Sequence, residues 1–159
     1  MRGVHPNVER VTTVLRDGGA TGEVRELSAS TRTASDAATA LGVPVGAIVK
    51  SLVFAADSAP VLVLASGDHQ VDTHAVARVL GAAHVGRADP DLVRDATGFA
   101  IGGVPPVGHA RPLRTVVDRH LADFESVWAA AGTPNAVFST TYDELVRLTA
   151  GIPADVAAS

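Results

Sequence analysis

The run Ile48-Val49-Lys50-Ser51-Leu52-Val53-Phe54 says more about the architecture than any other segment. It is apolar at nearly every position and lacks the alternation of a half-exposed strand, so it predicts a strand apolar on both faces. Val61-Leu62-Val63-Leu64 reads the same way, with Asp57-Ser58-Ala59-Pro60 as a turn between them. Both strands therefore belong near the centre of a sheet. The window from Val43 to Ser66 is the most hydropathic of the chain, but Lys50 and the turn interrupt it. It predicts two buried strands and not a membrane span.

Outward from this pair, helical and strand patterns interleave, as in one α/β-type domain spanning 1–159. Val4, Val8, Val11 and Leu15 recur at helical spacing before Gly18-Gly19. Val24 to Leu27 alternates like a short strand. Thr33 can cap a helix from Ala34 to Leu41, with Gly42 as terminator. Asp72 can cap a helix ending at Leu80, and Asp89-Pro90 opens another. Phe99-Ala100-Ile101 and Thr115-Val116-Val117 read as short strands. Val127 to Ala131 and Ala136-Val137-Phe138 form a hairpin about Gly132-Thr133-Pro134-Asn135. Thr141-Tyr142-Asp143-Glu144 is a capping box for a last helix, and the tail after Gly151 is expected to fray.

With 159 residues, 47% hydrophobic and 19% charged, the chain has the composition of a folded domain with a real core. Aromatic residues are only 4%, so Val, Leu, Ile and Ala must build that core. With no cysteine there is no disulfide, Cys nucleophile or Cys-ligated zinc, which fits a reducing, cytoplasmic setting. The first residues lack the apolar stretch of a signal peptide. A net charge of −4 argues against a protein that coats nucleic acid, though not against one that grips a single nucleotide end.

Lys50 is the chain's only lysine. In an apolar strand its ammonium must snorkel to an edge or meet an anion, and a phosphate or reacting carbonyl oxygen would suit it. The residues alone leave both readings open. The loop Gly102-Gly103-Val104-Pro105-Pro106-Val107-Gly108-His109 is the second candidate. Its glycines let backbone approach a ligand and its prolines stiffen it, so bare N–H and C=O groups could orient a water or hold an oxyanion. Read alone, it could equally be a Gly/Pro turn. It matches neither a dinucleotide fingerprint nor a Walker loop. His109 closes it, as base or loop organiser. None of His5, His69, His74, His84, His109 and His120 has metalloprotease spacing, so no metal site is expected. Asp68, Asp72 and Asp118 read as caps. Ser30, Ser51 and Ser139 lack a nucleophile-elbow context.

Thr33 before an Ala-rich helix, the Lys50 strand, Gly67-Asp68, Val71-Asp72, Thr97 through His109, the strand ending in Asp118, and Ala131-Gly132-Thr133 occur in the order and approximate spacing of one family. Over roughly residues 28–151 the chain resembles the YbaK/EbsC family, related to the editing domain of prolyl-tRNA synthetases. The resemblance implies an α+β domain with a mixed, mostly antiparallel sheet and flanking helices. It implies a deacylase that cleaves the ester joining a wrong amino acid to the 3′ end of tRNA, without cofactor or metal. Lys50 would hold the phosphate of the terminal nucleotide. Gly102, Gly103 and Pro106 match the family's Gly-x-x-x-Pro loop, which would position substrate and water, with Gly108 and His109 organising it. The tRNA's own ribose hydroxyl would assist, so no side-chain nucleophile is needed. Thr33, Ser51, Asp118, Trp128, Ala130, Gly132 and Val137 would line the substrate side. Cysteine-editing relatives are polar near Ala130 and Val137. These apolar positions point instead to a small apolar amino acid such as alanine, on tRNA(Pro) or a related tRNA. Wider tRNA recognition would fall to a partner aminoacyl-tRNA synthetase or to a basic patch, with Arg111 and Arg114 as candidates. The alternatives are a non-catalytic tRNA- or nucleotide-binding module of the same fold and a hydrolase of another small ester.

Overall fold

A computed structural model describes residues 5–27 and 33–158. The strand pair forms as expected. β2 (Val49–Ala56) and β3 (Ala59–Ser66) make a hairpin with Lys50 opposite Ala65, turning through Asp57 and Ser58 at positive φ. They are interior strands of a five-stranded sheet ordered β4-β2-β3-β5-β8, whose other members are β4 (Val85–Arg87), β5 (Arg114–Asp118) and β8 (Ile152–Ala154). The β4-β2-β3 pairings are antiparallel, and β3-β5 and β5-β8 are parallel.

The remaining strands, β1 (Val24–Glu26), β6 (Val127–Ala130) and β7 (Ala136–Thr140), form a separate antiparallel sheet ordered β1-β7-β6. An isolated parallel bridge between Ile48 and Trp128 links the two sheets. The β6-β7 pair is the hairpin expected around Gly132. The fold is thus α+β and mostly antiparallel, with its strands divided between two sheets.

Five helices flank the sheets: α1 (Pro6–Asp17), α2 (Ala34–Leu41), α3 (Thr73–Leu80), α4 (Pro90–Thr97) and α5 (Tyr142–Thr149). Their starts follow the capping chemistry. Thr33, Asp72 and Asp89 each accept a bond from a first-turn N–H, and Pro90 opens α4. The box at α5 is half closed. Thr141 Oγ1 accepts from Glu144 N at 3.1 Å, but the Glu144 carboxylate accepts from Thr140 Oγ1 instead of the cap N–H. Val4, at the start of the first helical pattern, lies outside the described residues.

Leu62, Leu64 and Val117 on one face of the larger sheet pack with Phe138, Val127 and Ala129 of the smaller sheet and with Val8, Val11 and Leu15 of α1. Val61, Val63, Ala65 and Val116 on the other face pack beneath Val76 and Leu80 of α3. Burial of these aliphatic side chains is the main stabilising term.

Two segments depart from expectation. Phe99-Ala100-Ile101 is not a strand. Thr97 Oγ1 accepts from Phe99 N at 3.0 Å, and a turn closes from Gly103 N to Ala100 O at 3.0 Å. Phe99 is buried as an anchor and Ile101 is 62% exposed. Nor does the tail fray. β8 pairs with β5, Val156 is fully buried, and the 156–158 backbone is bonded to Asp72 and Gln70 at 2.7 and 2.8 Å. A short segment of this kind is ordered by the strand beside it, which its own sequence does not reveal.

Candidate functional site

A cavity of about 590 Å³ opens where the two sheets diverge. It exists because β4 pairs with Phe54–Ala56, so among the described residues no strand of the larger sheet covers the other edge of β2 over Val49–Val53. Alternate residues there turn their N–H and C=O away from β3. Ala34 and Ala37 of α2 and Trp128, Ala130 and Val137 of the hairpin supply apolar walls, with Gly102 and Val104 of the loop opposite and Thr33 and Arg87 at the margin. The Arg25 guanidinium lies 4.9 Å from the centre of the Trp128 ring, bracing that wall.

Lys50 and Ser51 reach this cavity from β2. Lys50 is partly buried, and its Nζ donates to the backbone carbonyl of His69. Burial pushes its pKa below the ordinary lysine value, while the Asp68 and Asp118 carboxylates pull it upward. One of three N–H groups is engaged by that bond, leaving donors for an anionic ligand. Ser51 Oγ is buried and has no hydrogen-bond partner among the described residues. An unsatisfied buried hydroxyl costs about 1–3 kcal/mol.

Only the start of the Gly/Pro loop faces the cavity. Gly102 has φ +93°, and among the described residues beyond its chain neighbours no atom lies within 4 Å of where a Cβ would sit, so its backbone is open to a ligand. Gly103 lies behind it, where a Cβ would stand 3.4 Å from the Gly132 carbonyl. Val104, Pro105, Pro106 and Val107 are buried, and Gly108 rests on Val11 and Val14 of α1.

His109 Nε2 donates to the Pro105 carbonyl at 2.6 Å, closing the loop on itself. Burial holds its pKa below the ordinary histidine value, opposed by the Pro105 bond and helped by Arg10. His109 therefore bonds within its own loop and does not line the cavity. The unfolded chain takes up this proton at higher pH than the folded one. The contribution is therefore complete above the ordinary histidine value of 6.5 and lost as pH falls through the lower folded value. The His109 ring should titrate by NMR with a midpoint below 6.5. His109→Gln should flatten the loss of stability on acidification, and a midpoint at or above the ordinary value would contradict this placement.

Lys50, Ser51, Gly102, Thr33, Trp128, Ala130 and Val137 thus share one cavity. Gly103, Pro106, Gly108 and His109 form the scaffold behind it. Gly132, at φ +108°, fits against the Asn7 backbone, 2.8 Å from where a Cβ would be. Asp118 is buried away from the cavity and accepts from Ser66 N at 3.0 Å, His120 N at 3.0 Å and His69 Nδ1 at 2.8 Å. The His69 it holds is also the residue whose carbonyl accepts from Lys50 Nζ. Arg114 is committed to the Leu80 carbonyl at 3.1 Å, while Arg111 is exposed. Arg87 and the Ala34/Ala37 wall gave no sequence signal, since a lone strand arginine and helix alanines are ordinary.

Comparison with known proteins adds an independent line. Residues 28–148 match the family model described as the aminoacyl-tRNA editing domain. The uncharacterized protein YwhH of Bacillus subtilis (strain 168) is 33% identical over 124 residues, covering 77% of this chain and 78% of that protein. The proline--tRNA ligase of Xanthomonas axonopodis pv. citri (strain 306) is 38% identical over 96 residues, 58% of this chain but only 17% of the ligase. A crystal structure of a protein proposed as a trans-editing enzyme for prolyl tRNA synthetase superposes with TM-score 0.92 at 45% identity, covering 99% of this chain and 100% of that one.

Proposed function

The chain belongs to the aminoacyl-tRNA editing domain family, and from that premise we propose that it hydrolyses mischarged aminoacyl-tRNA in trans, in the cytoplasm. The observation that carries the reading is the convergence of Lys50, Ser51 and the open Gly102 backbone on one apolar-walled cavity. The similarity to a structure proposed as a trans-editing enzyme supports it.

In this reading the 3′ end of the tRNA enters along the open edge of β2. The Lys50 ammonium meets the phosphate of the terminal nucleotide. Unpaired β2 groups and Gly102 hold the ester and the attacking water. Water adds to the acyl carbon, the bond to the ribose oxygen breaks, and that oxygen leaves protonated, with the adjacent ribose hydroxyl assisting. Positioning and fixed dipoles supply the rate, and no side-chain nucleophile takes part. The wall of Ala34, Ala37, Ala130 and Val137 favours a small apolar amino acid such as alanine on tRNA(Pro) or a related tRNA. One methylene is worth about 1–3 kcal/mol, so selectivity among small side chains is moderate. A partner synthetase would supply wider tRNA recognition.

The test is deacylation of tRNA(Pro) charged with Ala, Cys, Ser or Pro. Alanyl-tRNA(Pro) is expected to lose its ester fastest and prolyl-tRNA(Pro) to persist. Equal rates for all four would remove the selectivity claim, and hydrolysis of none would remove tRNA(Pro) as substrate.

A further inference from the structure

A second constellation lies outside the cavity, at the carboxyl ends of two neighbouring parallel strands. Leu64 of β3 stands opposite Val117 of β5. The turn after β3 and the 3-10 turn Arg119–Asp123 therefore emerge side by side. This brings together Asp68, His69 and His120, two groups about fifty residues apart in sequence. The His69 and His120 rings stack with centroids 4.4 Å apart and planes 20° from parallel.

Each ring is held at the same atom. His69 Nδ1 lies 2.8 Å from Asp118 Oδ2, and His120 Nδ1 lies 2.9 Å from Asp123 Oδ2. An ionised carboxylate only accepts, so each Nδ1 carries a proton, and in the neutral ring each Nε2 presents a lone pair. Both Nε2 atoms turn toward the Asp68 carboxylate, His120 at 3.4 Å from Oδ2 and His69 at 3.9 Å from Oδ1. The three donor atoms lie within 4.8 Å of one another.

Four-coordinate zinc, with bonds of about 2.0–2.1 Å, sets its ligand atoms about 3.4 Å apart. The Asp68–His120 pair already has that separation, His69 has to approach Asp68 by about half an ångström, and the two stacked rings have to splay so that both Nε2 lone pairs meet at one point. Carboxylate–imidazole pairing on the far nitrogen is the usual device for fixing a metal-binding histidine. A mixed imidazole and carboxylate set suits zinc better than the all-oxygen demand of magnesium or calcium.

We infer that Asp68, His69 and His120 form a binding site for a divalent transition metal of the zinc class. Asp118 and Asp123 orient the two imidazoles, and a fourth position is open to water. The ion clips the turn after β3 to the turn after β5. The His69 carbonyl is the acceptor for Lys50 Nζ, so the clip also fixes the turn that aims the lysine. Histidine spacing along the chain gives no hint of this, because adjacent parallel strands bring the ligands together. The inference stands independently of the proposed hydrolysis.

The experiment is titration of the untagged, chelator-stripped full chain with Co²⁺, read by visible absorption, followed by displacement with Zn²⁺. One equivalent is expected to produce the intense band of a four-coordinate site, which Zn²⁺ abolishes and Mg²⁺ does not. Asp68→Ala and His120→Ala should lose the band. Asp123→Asn should weaken binding roughly 10–100-fold. His74→Ala should leave it unchanged, since that side chain is 87% exposed on α3. Far-UV circular dichroism checks that each variant folds, and the wild-type titration decides the matter even where one does not. Absence of stoichiometric Co²⁺ binding by the wild type, or an undiminished band in folded Asp68→Ala and His120→Ala, overturns the site.

Discussion

Lys50→Ala should reduce kcat/KM for ester hydrolysis by at least about 100-fold, the loss typical of removing one preorganised charged or hydrogen-bonding group from an active site. The fold should hardly notice. The side chain is partly buried and its Nζ bonds the His69 carbonyl, so deletion costs about 1 kcal/mol at most, offset in part by relief of the ammonium's desolvation. The distribution of the kinetic loss is informative. A rise in KM alone would mean that the ammonium grips phosphate equally in ground and transition states. A fall in kcat would mean that the grip tightens as the ester opens. Lys50→Arg should not restore activity, because a planar fork does not replace a compact ammonium beside the His69 turn. Activity within a few-fold of wild type in folded Lys50→Ala, or wholesale unfolding, would make the lysine structural.

Asp118→Ala carries the largest expected stability effect, about 3 kcal/mol, measured by urea denaturation with chelator present. Three donors converge on this buried carboxylate: the Ser66 and His120 amides and the His69 ring. Removing it strands them in a low-dielectric setting, where an unpaired polar group costs far more than its bond contributed. For a chain of this size the loss corresponds to roughly 6–12 °C in Tm. Asp118→Asn retains one accepting oxygen and should cost about half as much. A loss below about 1 kcal/mol for Asp118→Ala would show that the carboxylate does not organise the two turns.

Signals decided within a few residues were legible in the sequence. The Thr33, Asp72 and Asp89 caps needed only the first turns of their helices. The doubly apolar run about Lys50 and its partner Val61–Leu64 needed only their lack of alternation to be placed inside a sheet. The segments that misled were those whose state is set from elsewhere. Phe99-Ala100-Ile101 has the composition of a strand, but the Thr97 hydroxyl claims its first amide and no strand runs alongside. Residues 152–158 look weakly structured until β5 and Gln70–Asp72 receive them.

The site divides in the same way. Lys50 and Gly102 could be named because a lone lysine in an apolar strand and a Gly/Pro loop are unusual locally. Asp118 and Gly132 carried family signals, but their places in the fold are buried and supporting, which depended on Ser66, His69, His120 and Asn7 lying across the fold. The division of the strands into two sheets, which opens the cavity, follows from how far β4 extends along β2.

The brevity of β8 bears on how copies of this chain keep apart. Without it, β5 would present an outer margin of aliphatic Val116 and Val117 flanked by unpaired amides, a template on which another polypeptide could stack. β8 covers that margin with three residues, and Pro153, lying opposite Val117, has no amide hydrogen to donate. The sheet is thus finished by a strand that offers little to a successor. Shortening the chain before Ile152 should cost solubility as well as stability, since buried Ala154 and Val156 go with the strand.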